Sequence, residues 1–190
     1  ATGLEISDLE IKGNTSANLF RVEGIPSNSI FKNWTVSDNT VLLDADNLNQ
    51  FAMVSGTPEY FEFKNVQVEN NLLVSTAPTS PEIFFDFTLY SDLTSKFDNI
   101  LVSNQSNGIP SSTSLLKINV FSDTDTHESN FDFSHLTLPA KNIADSFPSL
   151  EFNSANSPSN LNITSSILRQ ETGLAWGFPV GSSIQATHTN

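Results

Sequence analysis

The densest group of side chains able to do chemistry is SDTDTHES, residues 122–129, which holds Asp123, Asp125, His127 and Glu128. Alternating carboxylates in a loop supply oxygen ligands to a hard cation, so Asp123, Asp125 and Glu128 are the candidate calcium ligands. The spacing is not that of an EF-hand loop and lacks its glycine; the simpler reading is a solvated acidic turn. His127, His135 and His188 have no spacing that suggests a shared metal. Neither a GxSxG elbow nor a phosphate-cradling glycine loop occurs. The absence of cysteine removes thiolate metal sites, cysteine nucleophiles and disulfides together. Asn-x-Ser/Thr sequons stand at Asn14, Asn33, Asn104 and Asn162, candidates for glycosylation in a compartment that performs it. Asn14 and Asn104 lie in loop sequence, whereas Asn33 falls on a turn expected to be buried.

Charge narrows the partners. Eight basic against 21 acidic residues give a formal charge of −13, which repels nucleic acid and anionic membrane surfaces and otherwise serves solubility. No stretch approaches the roughly 20 apolar residues of a membrane-spanning helix. A length of 190 residues predicts one domain large enough to bury a core without metals or crosslinks.

The elements that must position these groups are strands. LEISDLEIKG (4–13), EIFFDFTLYSD (82–92) and LLKINVFSD (115–123) alternate apolar and polar positions, while Ser, Asn, Pro, Thr and Gly cluster at 76–82 and 103–114 as loops. The chain reads as all-β. Three segments are near-copies, FKNWTVSDN (31–39), FKNVQVENN (63–71) and FDNILVSNQ (97–105), starting 32 and 34 residues apart. A second strand begins 12 residues before each, at Leu19, Phe51 and Phe85. Two degraded copies follow, with Ile118 ahead of Phe131 and Leu150 ahead of Leu161. Strand pairs repeated at this interval predict one coil per repeat, with third strands at 41–46, 71–76 and 166–170.

Side-chain parity explains the asparagines. In YFEFKN, Phe61 and Phe63 share one face and Glu62 and Lys64 the other. Unbroken alternation would then turn Val66 and Val68 to water. A bend at Lys64-Asn65 resets the parity, and asparagine tolerates the left-handed backbone that such a bend needs. Asn33 and Asn99 take the same part before Trp34/Val36 and Ile100/Val102. Stacked at one corner, the three can form a hydrogen-bonded ladder that sets the register. In the fourth copy Phe133 stands in the asparagine's place, so the ladder is expected to end there.

This order of strand, asparagine corner, strand and loop, over about residues 19–165, resembles the right-handed parallel β-helix of the pectate-lyase-like superfamily. There an asparagine at a tight turn between sheets commonly forms such a ladder. The resemblance implies a short right-handed β-helix of about five coils over 1–172. Residues 173–190 then form a cap or docking segment, with Trp176 and Phe178 as assembly contacts. Binding is expected on the loop-bearing side, which includes 103–114. An antiparallel sandwich or jelly roll is the alternative fold, but it gives no reason for three Phe-x-Asn copies in register.

Many proteins with this coil grammar cleave polysaccharides. A lyase would need an Arg or Lys base near calcium-binding carboxylates, and a hydrolase would need paired aspartates. Arg21 and Arg169 lie at opposite ends of the chain, and Asp44 and Asp46, on one face of a strand, read most simply as a solvated edge. Similar coils also build phage tail spikes and fibres and microbial surface adhesins. The resemblance therefore implies a non-catalytic structural or adhesive module, extracellular or on a virion surface, forming a homo-oligomer or larger assembly. It implies no cofactor beyond calcium, no nucleic acid and no membrane insertion. A carbohydrate-binding or polysaccharide-degrading protein is the alternative.

Overall fold

A computed structural model describes residues 3–43, 49–53, 59–75, 82–90, 93–103, 105–106, 113–121, 128–139, 150–155, 158–168, 175–177 and 182–187. The strands form three sheets in which every pairing is parallel. The first stacks β1 (Glu5–Ser7), β5 (Ser29–Ser37), β8 (Glu59–Glu69), β11 (Leu93–Ser103), β13 (Ser129–Leu138), β15 (Ser159–Thr164) and β18 (Ser183–Thr187), with β2 (Glu10–Lys12) on β5 and β16 (Ile167–Leu168) on β13. The second stacks β4 (Arg21–Ile25), β7 (Asn49–Met53), β10 (Glu82–Tyr90), β12 (Thr113–Phe121), β14 (Leu150–Ala155) and β17 (Ala175–Gly177). The third holds β3 (Thr15–Ser16), β6 (Thr40–Leu43) and β9 (Leu72–Ser75). Within each sheet the strands follow chain order, so the chain is a parallel β-helix. This fold, and not the antiparallel sandwich, is what the repeat encodes.

Register shows how the coils superpose. Ile6, Phe31, Phe63, Phe97, Phe133, Ile163 and Ala186 occupy one position in successive rungs. The stack therefore extends one rung beyond the visible repeat at each end, and residues 175–177 and 183–187 continue it. In the second sheet Val22, Phe51, Phe87, Ile118, Phe152 and Trp176 share a position. Phe85 thus lies beside Asn49, two residues from the alignment that the 12-residue spacing suggests.

The core is a column of aromatic rings. Phe31, Phe61, Phe63, Phe87, Phe97 and Phe133 are fully buried. Phe87, arriving from the second sheet, sits 5.1 Å from Phe63 and 5.1 Å from Phe97, edge to face in both cases. Each ring contributes about 1.5–3 kcal/mol by leaving water, and edge contacts add to that. One rung position alternates in size over four coils, Ser29, Phe61, Ser95 and Phe131, before Leu161 follows Phe131. The small residues make room for the large rings of the neighbouring coils.

Each bent strand of the first sheet turns at one residue in the left-handed region. These residues are Asp8 (φ 57°), Asn33 (60°), Asn65 (55°), Asn99 (53°), His135 (52°) and Ser165 (49°). Val66 and Val68 are buried, as the parity reset requires. Two expectations need correction. The corner asparagines are exposed, not buried. The fourth corner is His135: Phe133 pairs with Phe97 and belongs to the buried ring column, and Phe131 pairs with Ser95.

Exposure makes backbone strain the main determinant at the corner. Asn65→Val loses weak solvent-exposed hydrogen bonds and places a β-branched residue at positive φ, and is expected to cost about 2–3 kcal/mol. Asn65→Gly suits that φ and is expected to cost about 1 kcal/mol. Urea denaturation of both variants checks this, and equal costs would remove strain from the account.

A second corner follows the bent strands. Gly13 (φ 71°), Asp38 (57°) and Asn70 (57°) take the left-handed conformation there, each directly before Asn14, Asn39 and Asn71. Among the described residues, Asn39 and Asn71 are the buried side-chain amides. Asn39 donates from its main-chain N and from Nδ2 to Asn71 Oδ1 at 3.1 and 3.0 Å, and its Nδ2 also donates to Ile11 O at 2.9 Å. Asn71 Nδ2 donates to Val36 O at 3.0 Å, and Gln105 Nε2, one coil further on, donates to Val68 O at 3.1 Å. Interior backbone groups left over by the turn thus find partners.

Candidate functional site

The exposed corner ladder lines a groove. Asn33 Nδ2 donates to Asp8 Oδ1 at 2.9 Å, Asn65 Nδ2 to Asn33 Oδ1 at 3.0 Å, and Asn99 Nδ2 to Asn65 Oδ1 at 3.0 Å. The amides therefore point along the stacking axis, one per rung. Thr35, Gln67 and Leu101, which share one outward register position just past the corner, line the same depression. Its volume is about 330 Å³, and among the described residues that line it none is charged. At the fourth rung the series changes character, because His135 Nδ1 lies 2.9 Å from Asp98 Oδ1, which also accepts from Ser134 Oγ at 2.8 Å. Burial pushes the Asp98 carboxyl up, but the contacts to His135 and Ser134 outweigh it and hold the group below its ordinary range.

Before the corner, the outward face of the first sheet is charged. Glu62, Lys96, Asp132 and Asn162 share one register position, and Lys32, Lys64, Asp98 and Ser134 another. Glu62 accepts from both Tyr60 Oη and Lys64 Nζ. Burial alone would raise the Glu62 pKa, and these two donors bring it below the usual value. Burial, followed by the contact with Glu62, pushes the Tyr60 hydroxyl well above its ordinary value. Lys96 Nζ lies 5.8 Å from the centre of the Tyr60 ring. Opposite charges on neighbouring rungs stabilise a sheet by a few tenths of a kcal/mol each.

The outward face of the second sheet carries a more enclosed polar row. Asp86, Lys117 and Glu151 stand on three consecutive rungs. Lys117 Nζ is 3.1 Å from Glu151 Oε1, and Asn119 Nδ2 donates to Asp86 Oδ1 at 3.1 Å. Asp86 is only 8% exposed. Burial pushes its pKa up; the Lys117 charge opposes this and the Glu151 charge adds to it. A carboxyl with a higher pKa in the folded than in the unfolded chain favours folding when protonated. Its ionisation costs stability at neutral pH, and that cost vanishes below the unfolded value of about 4. Asp86→Asn keeps an acceptor for Asn119, so it is expected to raise Tm at pH 7, with the gap to the parent closing toward pH 4. A gap independent of pH would contradict this origin.

The candidates marked in the sequence fall in different places. Asn33, Asn65 and Asn99 come together at the corner. Glu128 is exposed and accepts from Asn160 Nδ2; Asp123 and Asp125, the other two calcium candidates, lie outside the described residues. So do Asp44, Asp46, Asn104, Arg169 and Phe178. Arg21, in β4, pairs with Glu23. Asn14 is exposed, its Nδ2 3.2 Å from both Lys12 O and Asn39 Oδ1, and Asn162 donates to Asp132 Oδ1 at 3.3 Å from within β15. Trp176 lies in β17, opposite Phe152 in register. Unmarked in the sequence were His135, the buried Asn39 and Asn71, and the Asp86, Lys117 and Glu151 row. The signal for the buried amides was present, since Asn39, Asn71 and Gln105 each stand eight residues after the repeat phenylalanine. Compared with known proteins, the chain matches no family model, no curated protein and no solved structure.

Proposed function

We propose that this chain is a non-catalytic structural and adhesive module of a microbial surface or virion appendage, which holds a binding face rigidly and joins further copies of itself. The observation that carries this reading is the continuity of its ladders: ring column, corner amides and buried asparagines link coil to coil. Such a rod keeps side chains at fixed intervals, as repeated weak contacts to an extended partner require. Self-association is supported by β18, which among the described residues pairs only with β15 and leaves Ile184 47% exposed. A free strand edge accepts another strand. Light scattering across a concentration series tests this part. A discrete oligomer or growing polymer is expected, and a monomer at every concentration would rule self-assembly out. Carbohydrate binding is the second reading, favoured by the uncharged groove at the corner.

A further inference from the structure

We infer that the groove along the amide corner binds a neutral polysaccharide lying parallel to the stacking axis. The inference rests on the adhesive reading and gives it a ligand class.

Charge comes first. The protein carries a formal −13, yet no described residue lining this groove is charged. The neighbouring Lys32 and Lys64 are paired with Glu5 and Glu62, so a polyuronate or nucleic acid would meet long-range repulsion with no cation in the described lining to offset it, and a metal ion would find no carboxylate in that lining. A neutral ligand meets neither obstacle.

Hydrogen-bonding capacity comes next. In the ladder Asn33 and Asn65 each use one Nδ2 hydrogen and one Oδ1 lone pair, and Asn99 uses one Nδ2 hydrogen. A primary amide has two of each, so every rung retains a donor and an acceptor that can turn to the groove. Sugar hydroxyls both donate and accept, and suit such a surface. Gln67 and Thr35 add further polar groups, while Leu101 offers an apolar contact for the C–H face of a ring. A polypeptide is the poorer match, because strand addition needs a free sheet edge and this groove crosses strands already paired on both sides.

Geometry supplies the third argument. Rungs of a parallel sheet repeat at about 4.8 Å, so Asn33, Asn65 and Asn99 present the same donor set three times over about 10 Å. A polymer of like units can satisfy all three at once. The neutral run is bounded by Asp8 at one end and by Asp98 with His135 at the other. The segment held is therefore short, and affinity per site should be weak, with strength coming from multiple copies.

The test is NMR titration of the ¹⁵N-labelled full chain with cellohexaose, laminarihexaose, mannohexaose and, as the charged comparator, hexagalacturonate. At least one neutral hexasaccharide is expected to shift the side-chain amides of Asn33, Asn65, Asn99 and Gln67 saturably, and hexagalacturonate is not. Gln67 is exposed, so Gln67→Glu should fold as the parent does; it is expected to weaken that binding at least ~5-fold with Tm unchanged. Lys96→Ala, on the charged face, should leave it unaltered. Shifts confined to the charged face, loss in Lys96→Ala instead of Gln67→Glu, or preference for hexagalacturonate would overturn the groove assignment while leaving the adhesive reading standing. A chain that self-assembles but binds no hexasaccharide overturns this inference alone. A monomer that binds none overturns both.

Discussion

Phe63→Ala is expected to lower the unfolding free energy by about 3–5 kcal/mol. Phe63 is fully buried and touches rings of both neighbouring coils: Trp34 at 5.6 Å, Phe85 at 5.5 Å, Phe87 at 5.1 Å and Phe97 at 6.3 Å between centroids. The strands carrying these rings are tied by parallel pairing on both sides of β8, so the backbone cannot close over the space left behind. A cavity that persists gives the upper part of the range. Phe63→Leu keeps most of the volume and is expected to cost about 1.5 kcal/mol. Because each coil contacts only its neighbours, a weakened middle coil should also uncouple the two ends. Urea melts of the alanine variant are therefore expected to show a broadened transition. A cost below about 1 kcal/mol would mean that the ring column repacks freely.

Asn71→Leu is the second large effect, expected at about 3–5 kcal/mol although leucine has nearly the same size and greater hydrophobicity. Asn71 is fully buried. Its Oδ1 takes two donors from Asn39, and its Nδ2 supplies Val36 O. Leucine leaves the Asn39 main-chain N–H and the Val36 carbonyl without these partners, and each buried group left unmade costs about 1–3 kcal/mol. Asn39 Nδ2 keeps its bond to Ile11 O, which limits the loss. A double-mutant cycle with Asn39→Leu checks the origin. Once either amide is gone the other has lost part of its purpose, so the double variant is expected to cost less than the sum of the single ones. Strict additivity would show that each amide acts alone.

The contrast between these amides and Asn65 shows what the sequence could reveal. Phe-x-Asn followed by alternating apolar residues is a parity argument, and parity has a single solution at Asn33, Asn65 and Asn99. In the fourth copy two phenylalanines stand two apart, Phe131 and Phe133, and either satisfies the same in-out pattern. Only the turn itself distinguishes them, and there the left-handed residue is a histidine, a type less often read as a corner. The second sheet fails for the same reason: sliding Phe85 into the place of Phe87 changes no side chain's face. Asn39 and Asn71 follow Asp38 and Asn70, and such polar pairs read as solvated loop. Their burial is set by the coil closing over them, a long-range fact that local composition does not carry. The row of Asp86, Lys117 and Glu151 is likewise assembled from residues 31 and 34 positions apart in the chain.

The alternation Ser29, Phe61, Ser95, Phe131 sets a rule for lengthening this rod. Its packing has a period of two rungs, although the backbone repeats every rung. Duplicating a single coil within this stretch would set two phenylalanines or two serines on adjacent rungs, removing the small neighbour that makes room for each ring in one case and leaving a void in the other. Duplicating two consecutive coils preserves the order of large and small. The unit of growth, whether by recombination or in the hands of a designer, is therefore the pair of coils.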